Sequence, residues 1–407
     1  MAASISGSRT WYPSVAMGRS GSSRRGHGGV ARSSFAPCAP ASKPSTLQMI
    51  GRKWPELQGA RDWDGLLSPL DGALRGELVR YGEFVRAAYA SFDCDDGRAP
   101  SYGSCRFSSS SLLRRAGLPA TGYRVTRLLH AASASAPGWL SSSQCSRSSY
   151  IGYVAVCDDE AEIERLGRRD VVVAYRGTAT CGEWVDNFQS ALTRLPTKTT
   201  SPTTSSSEEE EEAMVESGFW RLFTAPGEAH GSLQQQVRDE ARRIVHEYGG
   251  KGMPPLSITV TGHSLGAALA VLTAHEITTA VVRPRGQQCR NEDDDDEVPM
   301  VTAVSFGGPR VGNAAFRRRL EESGGKVLRV VNSNDVVTKV PGFPPADGDD
   351  NDSRRRPRVP RWLVSMMGWA YSDVGRELRL SSRQPAPNVV ASHGLDLYLE
   401  LVAACTD

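Results

Sequence analysis

The segment Leu256-Ser-Ile-Thr-Val-Thr-Gly262-His263-Ser264-Leu265-Gly266-Ala-Ala-Leu-Ala limits what this chain can fold into more than any other stretch. The β-branched run before Gly262 predicts a strand, and the Ala/Leu-rich run after Gly266 predicts a helix. A turn that sharp has no room for side chains two before and two after the serine, so Gly262 and Gly266 are the residues that fit. Ser264 then stands clear of the backbone. The unpaired N–H groups and positive end of the following helix face the space before its hydroxyl, which is half of a site for a developing oxyanion. A plain tight turn would use the same G-x-S-x-G, but without a strand before it and a helix after it.

A serine hydroxyl is a poor nucleophile until a base takes its proton, so a histidine has to come within hydrogen-bond reach. Of the seven histidines, His27 lies in a basic leader, His130 and His230 in early loops, His246 and His275 within helices, and His263 in the elbow, facing away. His393 remains, in the loop Val389-Val-Ala-Ser-His393-Gly394 before a terminal helix and downstream of the serine. A third group, an acid between the two, is needed to hold the imidazole in its useful tautomer. Leu328-Arg-Val-Val-Asn332 reads as a strand running out into Asp335, whereas Asp347, Asp349, Asp350 and Asp352 fall in a low-complexity insertion and Asp373 and Asp396 in helices. The expected triad is Ser264, His393 and Asp335; the bland alternative for Asp335 is a solvated loop acid.

Further strands are expected at 151–156, 170–175, 301–306 and 327–331, and helices at 66–92, 233–248, 265–279, 314–322 and 395–404. Strand and helix alternate, and Val171-Val-Val-Ala-Tyr175 is apolar throughout, so the expected class is α/β, with a mostly parallel central sheet flanked by helices. Leu74, Leu78, Tyr81, Phe84, Val85 and Tyr89 recur at steps of three and four, which makes residues 54–149 an N-terminal helical region packed on the core. Residues 150–407 form the main domain. Polar or acidic low-complexity insertions at 197–213, 291–297 and 347–358 interrupt it and are expected to be disordered.

Residues 1–50 are rich in Ser, Ala, Gly and Arg and contain no acid, the composition of a transit peptide, with plastid favoured over mitochondrion because the segment is Ser-rich. A merely disordered basic tail would share that chemistry. The net charge of +2 hides an asymmetry: without the eight basic residues of 1–55, 40 basic residues face 46 acidic ones. A mildly acidic body gives no sign of a nucleic-acid partner, whose electrostatic footprint would be a basic stripe, and none is expected. No run approaches the roughly 18 apolar residues that span a bilayer, so any membrane contact is expected to be peripheral. The eight cysteines show no metal-ligand spacing and read as free thiols.

With these residues placed, the chain resembles the class 3 lipase family, and within it the plant phospholipase A1 group of plastid acyl hydrolases. The resemblance runs from about Trp54 to the C terminus. It is carried by Gly167-Arg168-Arg169-Asp170 through Tyr175-Arg176-Gly177-Thr178, the elbow, Ser305-Phe-Gly-Gly-Pro309-Arg310-Val-Gly312-Asn313, Asn332-x-x-Asp335-x-Val337 and Ser392-His393. It implies an α/β-hydrolase fold with an oxyanion hole built from Thr178 and the backbone N–H of Leu265. It also implies a lid after Thr178, where Trp184 and Phe188 would face lipid; the alternative for both aromatics is the core. The implied reaction cleaves acyl esters of membrane glycerolipids through an acyl-enzyme, with phospholipids and galactolipids as substrates, preference for the sn-1 position, triacylglycerol as a further possibility, and neither metal nor cofactor. Two other readings share most of these residues. A lipase-like binding protein would need a broken triad, and a soluble esterase would lack activation at an interface.

Overall fold

The computed structural model describes residues 47–93, 102–132, 148–178, 191–196, 212–227, 229–282, 298–341, 371–381 and 389–405. Its elements run α1 (Leu47–Leu57), α2 (Gly72–Ala90), α3 (Leu112–Arg115), β1 (Tyr123–Ala132), β2 (Ser148–Cys157), α4 (Glu160–Leu166) and β3 (Arg169–Tyr175). There follow β4 (Leu192–Arg194), β5 (Met214–Glu216), α5 (Ser217–Thr224), α6 (Leu233–Tyr248), β6 (Leu256–His263) and α7 (Leu265–Ile277), which continues as a π-helical turn at Thr278–Val282. The last are β7 (Met300–Phe306), α8 (Ala314–Glu322), β8 (Lys326–Asn332), a 3₁₀ turn at Val337–Lys339, β9 (Arg376–Leu380), α9 (Val389–His393) and α10 (Leu395–Ala404).

Seven strands form one sheet in the order β1-β2-β3-β6-β7-β8-β9, and β4 and β5 form a separate pair. β1, β2 and β3 pair antiparallel, and from β3 to β9 every pairing is parallel. Side chains of β3 alternate between two cores, as the pleat requires. Val171, Val173 and Tyr175 join Ile258 and Val260 beneath α5, α6 and α7, while Val172 and Ala174 join Val304, Phe306, Leu328 and Val330 beneath α2 and α10. The parallel part of the sheet is thus buried on both faces, as its continuous apolar strands predict.

Local signals set the helix ends. Asp71 caps α2 by accepting from the N–H groups of Ala73 and Leu74, and Ser232 with Gln235 forms a reciprocal capping box at the start of α6. α2 and α10, from opposite ends of the described chain, lie side by side. Gly82 permits that approach, since a Cβ there would sit 2.1 Å from Leu399 Cδ2. Arg75 donates to the carbonyl of Cys405 and Arg86 pairs with Asp396 along the same seam.

Several expectations need correction. The region 54–149 is not purely helical: it contributes β1, which pairs with β2 along its length, so the sheet starts well before residue 150. The reason for the miss lies in the strand, where register shifts between Val125 and Arg127 and between Leu129 and His130 break the alternation that marks a strand. Consequently His130 lies in β1 and not in a loop, its ring stacked on His230 with centroids 4.2 Å apart. α1 begins at Leu47, inside the segment assigned to the leader, and residues 1–46 lie outside the described residues. The insertions at 291–297 and 347–358 also lie outside them, as does 197–213 up to residue 211; Glu212 and Ala213 are held by Asn313 Nδ2 and the N–H of Leu195. Asp373 precedes β9 in irregular chain and pairs with Arg310 and Arg329. An 18-residue apolar helical stretch does exist, Leu265–Val282, but 78% of it is buried inside the fold, which makes it a core helix.

At the end of the sheet away from the elbow, α2 is fixed by charge. Glu77 Oε2 accepts from Arg80 at 2.7 Å and from Arg168 at 2.8 Å. Asp170 accepts from Tyr123 and Ser257, each at 2.8 Å, and from Arg80 at 3.1 Å. Two acids thus meet two guanidiniums. Glu77, Arg168 and Asp170 are all buried, and a buried charge set of this kind holds together only when each member is paired.

Candidate active site

Parallel strands β6 and β7 bring Gly262 level with Ser305 and His263 level with Phe306. There the chain reverses direction on Ser264, at φ 57° and ψ −123°. Positive φ in a non-glycine residue is a strained state that persists only where the surroundings impose it. Here the Ser264 N–H donates to Phe306 O at 3.0 Å, and its carbonyl accepts from Ala267 and Ala268. The glycines answer to two neighbours: a Cβ on Gly262 would lie 2.2 Å from Gly266 O, and one on Gly266 would lie 2.4 Å from Arg176 O. Gly266 is therefore required for the approach of the chain leaving β3, and only Gly262 for the turn itself.

That chain leads directly to Thr178. A Cβ on Gly177 would come within 3.1 Å of Ser264 Cβ and 2.7 Å of His263 O. The backbone just before Thr178 is thus packed against Ser264, and the helix that follows the serine opens at Leu265.

His393 and Asp335 meet directly, with Nδ1 2.7 Å from Oδ2. A carboxylate can only accept, so Nδ1 carries a proton, and in the neutral ring Nε2 then has the lone pair. Among the described residues Nε2 is buried and has no hydrogen-bond partner, so no bond joins it to the Ser264 hydroxyl; such bonds commonly tighten only once substrate is bound. The ring of His263, next to Ser264 in sequence, has its centroid 4.7 Å from that of His393. Residues 389–393 form a short helix where a loop is expected.

Asp335 is fully buried. Besides His393 it accepts from the Tyr398 hydroxyl at 2.7 Å and from the N–H of Val337 at 2.9 Å. Burial, reinforced by the neighbouring Asp335, pushes the Tyr398 hydroxyl well above its ordinary value, so it remains a donor. The same oxygen accepts from the N–H of Asn332, and Asn332 Nδ2 donates to Ser392 O at 2.8 Å. Sequence reasoning passed over Tyr398, although a lone phenol on the otherwise apolar face of a terminal helix is a signal of a buried polar partner. It also set His263 aside as facing away, whereas its Nε2 is 2.6 Å from the backbone oxygen of His393. Trp184 and Phe188 lie outside the described residues.

A strained serine between a strand and a helix, at the rim of a mostly parallel sheet whose later segments deliver a histidine–aspartate pair, defines an α/β-hydrolase. The model of the family Lipase (class 3) matches residues 172–344. The chain is 48% identical over 369 residues to phospholipase A(1) DAD1, chloroplastic, of Arabidopsis thaliana, an alignment covering 87% of this chain and 76% of that protein. It is 39% identical over 366 residues to phospholipase A1-Igamma2, chloroplastic, of the same plant, covering 86% of this chain and 65% of that one. With galactolipase DONGLE, chloroplastic, also from Arabidopsis thaliana, identity is 35% over 365 residues, covering 88% of this chain and 71% of that one. The chain belongs to the class 3 lipase family, in its plant phospholipase A1 group. It spans about two thirds to three quarters of the length of these relatives.

Proposed function

We propose that the protein is a plastid serine acyl hydrolase that cleaves fatty acyl esters of membrane glycerolipids, with Ser264, His393 and Asp335 as its triad. The observation that carries this reading is the His393–Asp335 hydrogen bond of 2.7 Å, made by a ring whose centroid lies 4.7 Å from that of His263, the residue before the elbow serine. Ser264 Oγ attacks the ester carbonyl while His393 Nε2 takes its proton, and Asp335 stabilises the imidazolium that forms. The oxyanion is met by Leu265 and Thr178. His393 then returns the proton to the leaving glyceryl oxygen, and water releases the acyl chain by the reverse sequence. The kinship with proteins named phospholipase A1 and galactolipase, each chloroplastic, supports phospholipids and galactolipids as substrates, cleavage at sn-1, peripheral membrane contact, and a plastid leader within residues 1–50. Trp184 and Phe188 are the lid residues of this proposal.

The test is hydrolysis of phosphatidylcholine and monogalactosyldiacylglycerol, with identification of the chain released. Ser264→Ala should lower the rate at least about a thousandfold, and the lysolipid formed should keep its sn-2 chain. Undiminished release by the alanine variant would remove the nucleophile and the mechanism with it.

A further inference from the structure

The family resemblance assigns no role to α2 or to the histidine that precedes the nucleophile, yet the two meet behind the proposed triad. We propose that Tyr89 and His263 are positioning residues that tie α2 to the base: the Tyr89 hydroxyl donates to His263 Nδ1, and His263 Nε2–H donates to the backbone carbonyl of His393. This rests on the reading of His393 as the general base.

The proton placement follows from the acceptor. His263 Nε2 lies 2.6 Å from His393 O, and a carbonyl oxygen can only accept, so Nε2 holds the ring's proton. In a neutral imidazole Nδ1 is then an acceptor, and the Tyr89 hydroxyl lies 2.8 Å away to serve it. Burial, with His393 adding to it, pushes His263 well below the ordinary histidine range. The ring beside the base is therefore uncharged when His393 receives the serine's proton, and the positive charge forms on the ring that Asp335 faces.

Two consecutive carbonyls are gripped in this way, that of Ser392 by Asn332 and that of His393 by His263. The short helix α9 has only five residues, too few to hold its own geometry, so these bonds orient the imidazole. Tyr89 reaches the other half of the site as well, because a Cβ on Gly177 would lie 2.4 Å from its hydroxyl oxygen. One phenol thus abuts both the segment leading to Thr178 and the link to the base. α2 is anchored a few turns away by the Glu77–Arg80–Arg168–Asp170 cluster, so the hydroxyl is presented from a fixed element.

The experiment compares wild type, Tyr89→Phe, His263→Leu and His263→Gln for kcat and KM on micellar phosphatidylcholine, with thermal melts beside them. Tyr89→Phe and His263→Leu should lower kcat about ten- to hundredfold, the effect of a base displaced by a fraction of an ångström to 1 Å, with KM within about twofold. His263→Gln should recover most of the loss, because its amide N–H can serve the same carbonyl. Nitrogen NMR of labelled histidine in the wild-type protein should show His263 as the Nε2–H tautomer at neutral pH, a readout that needs no variant to fold. An Nδ1–H tautomer or an imidazolium there, or wild-type kcat in both Tyr89→Phe and His263→Leu, overturns the proposal. An active wild type with unaffected variants sinks this link alone, whereas a wild type that hydrolyses no ester sinks the base assignment together with it.

Discussion

Replacing Glu77 by Gln keeps the shape of the buried cluster under α2 and removes one charge. The two guanidiniums of Arg80 and Arg168 would then face only Asp170, leaving an uncompensated positive charge where Arg168 and Asp170 have no exposure to solvent. Removing one partner of a buried pair costs about 3–5 kcal/mol. A second route gives a similar figure. Burial alone would raise the Glu77 carboxyl, but Arg80 and Arg168 outweigh it and hold the pKa at about 2, against an ordinary 4.5; at about 1.4 kcal/mol per unit this corresponds to about 3 kcal/mol. The sign is fixed by the depressed value. The unfolded chain binds the proton more readily, so the contribution is complete above the ordinary carboxyl range, shrinks as pH falls from about 4.5, and is gone near 2. Denaturant unfolding followed by tryptophan fluorescence should therefore place Glu77→Gln about 3 kcal/mol below wild type at pH 7, with a melting point lower by about 4–5 °C. The gap should narrow at each step below pH 4.5. A difference under about 1 kcal/mol at pH 7, or a gap that stays constant between pH 5 and 3, would refute the claim that paired charge holds α2 to the sheet.

Tyr398→Phe leaves buried Asp335 one donor short and the N–H of Asn332 without its acceptor. A hydrogen bond to a charged group contributes about 1.5–3 kcal/mol, so kcat/KM should fall about ten- to hundredfold, and an unchanged value would show that two donors suffice. Gly266→Ala would drive a methyl group against Arg176 O, 2.4 Å from its position, and displace the segment that ends in Thr178. It should slow labelling of Ser264 by a fluorophosphonate more than it lowers the melting point, which labelling at the wild-type rate would disprove.

The parts of the fold that were legible in the sequence are those whose signal is local. The strand–elbow–helix around Ser264 is recognised from its own residues, the β-branched strand, Gly262 in the turn and the Ala/Leu-rich helix, whereas the need for glycine at 266 comes from the distant approach of the chain after β3. The capping box of Ser232 and Gln235 similarly announces the start of α6. β1 escaped detection because two register shifts interrupt its alternation, and β9 because Arg376-Glu-Leu-Arg-Leu is a short, charged strand at the sheet's edge. At the site, His393 and Asp335 could be reached by elimination, since their residue types and order are restricted. Which partners Tyr398, Tyr89 and His263 take could not, because that depends on which buried polar atoms become neighbours across 63, 174 and 130 residues. Hydrogen-bond satisfaction over such separations leaves no periodicity to read.

The seam between α2 and α10 sets the order of events during synthesis. α2 is made well before α10, with its apolar stripe and the Glu77 and Arg80 side chains ready for burial, and α10 shares its side of the sheet. Until then Leu399 cannot cover Gly82, and Arg75 and Arg86 lack Cys405 and Asp396. Because loop-closure entropy must be overcome before such distant contacts reward it, that side of the sheet stays incomplete until α10 is available. Until α10 docks, that stripe of α2 has no cover from it, so the two helices complete each other's burial.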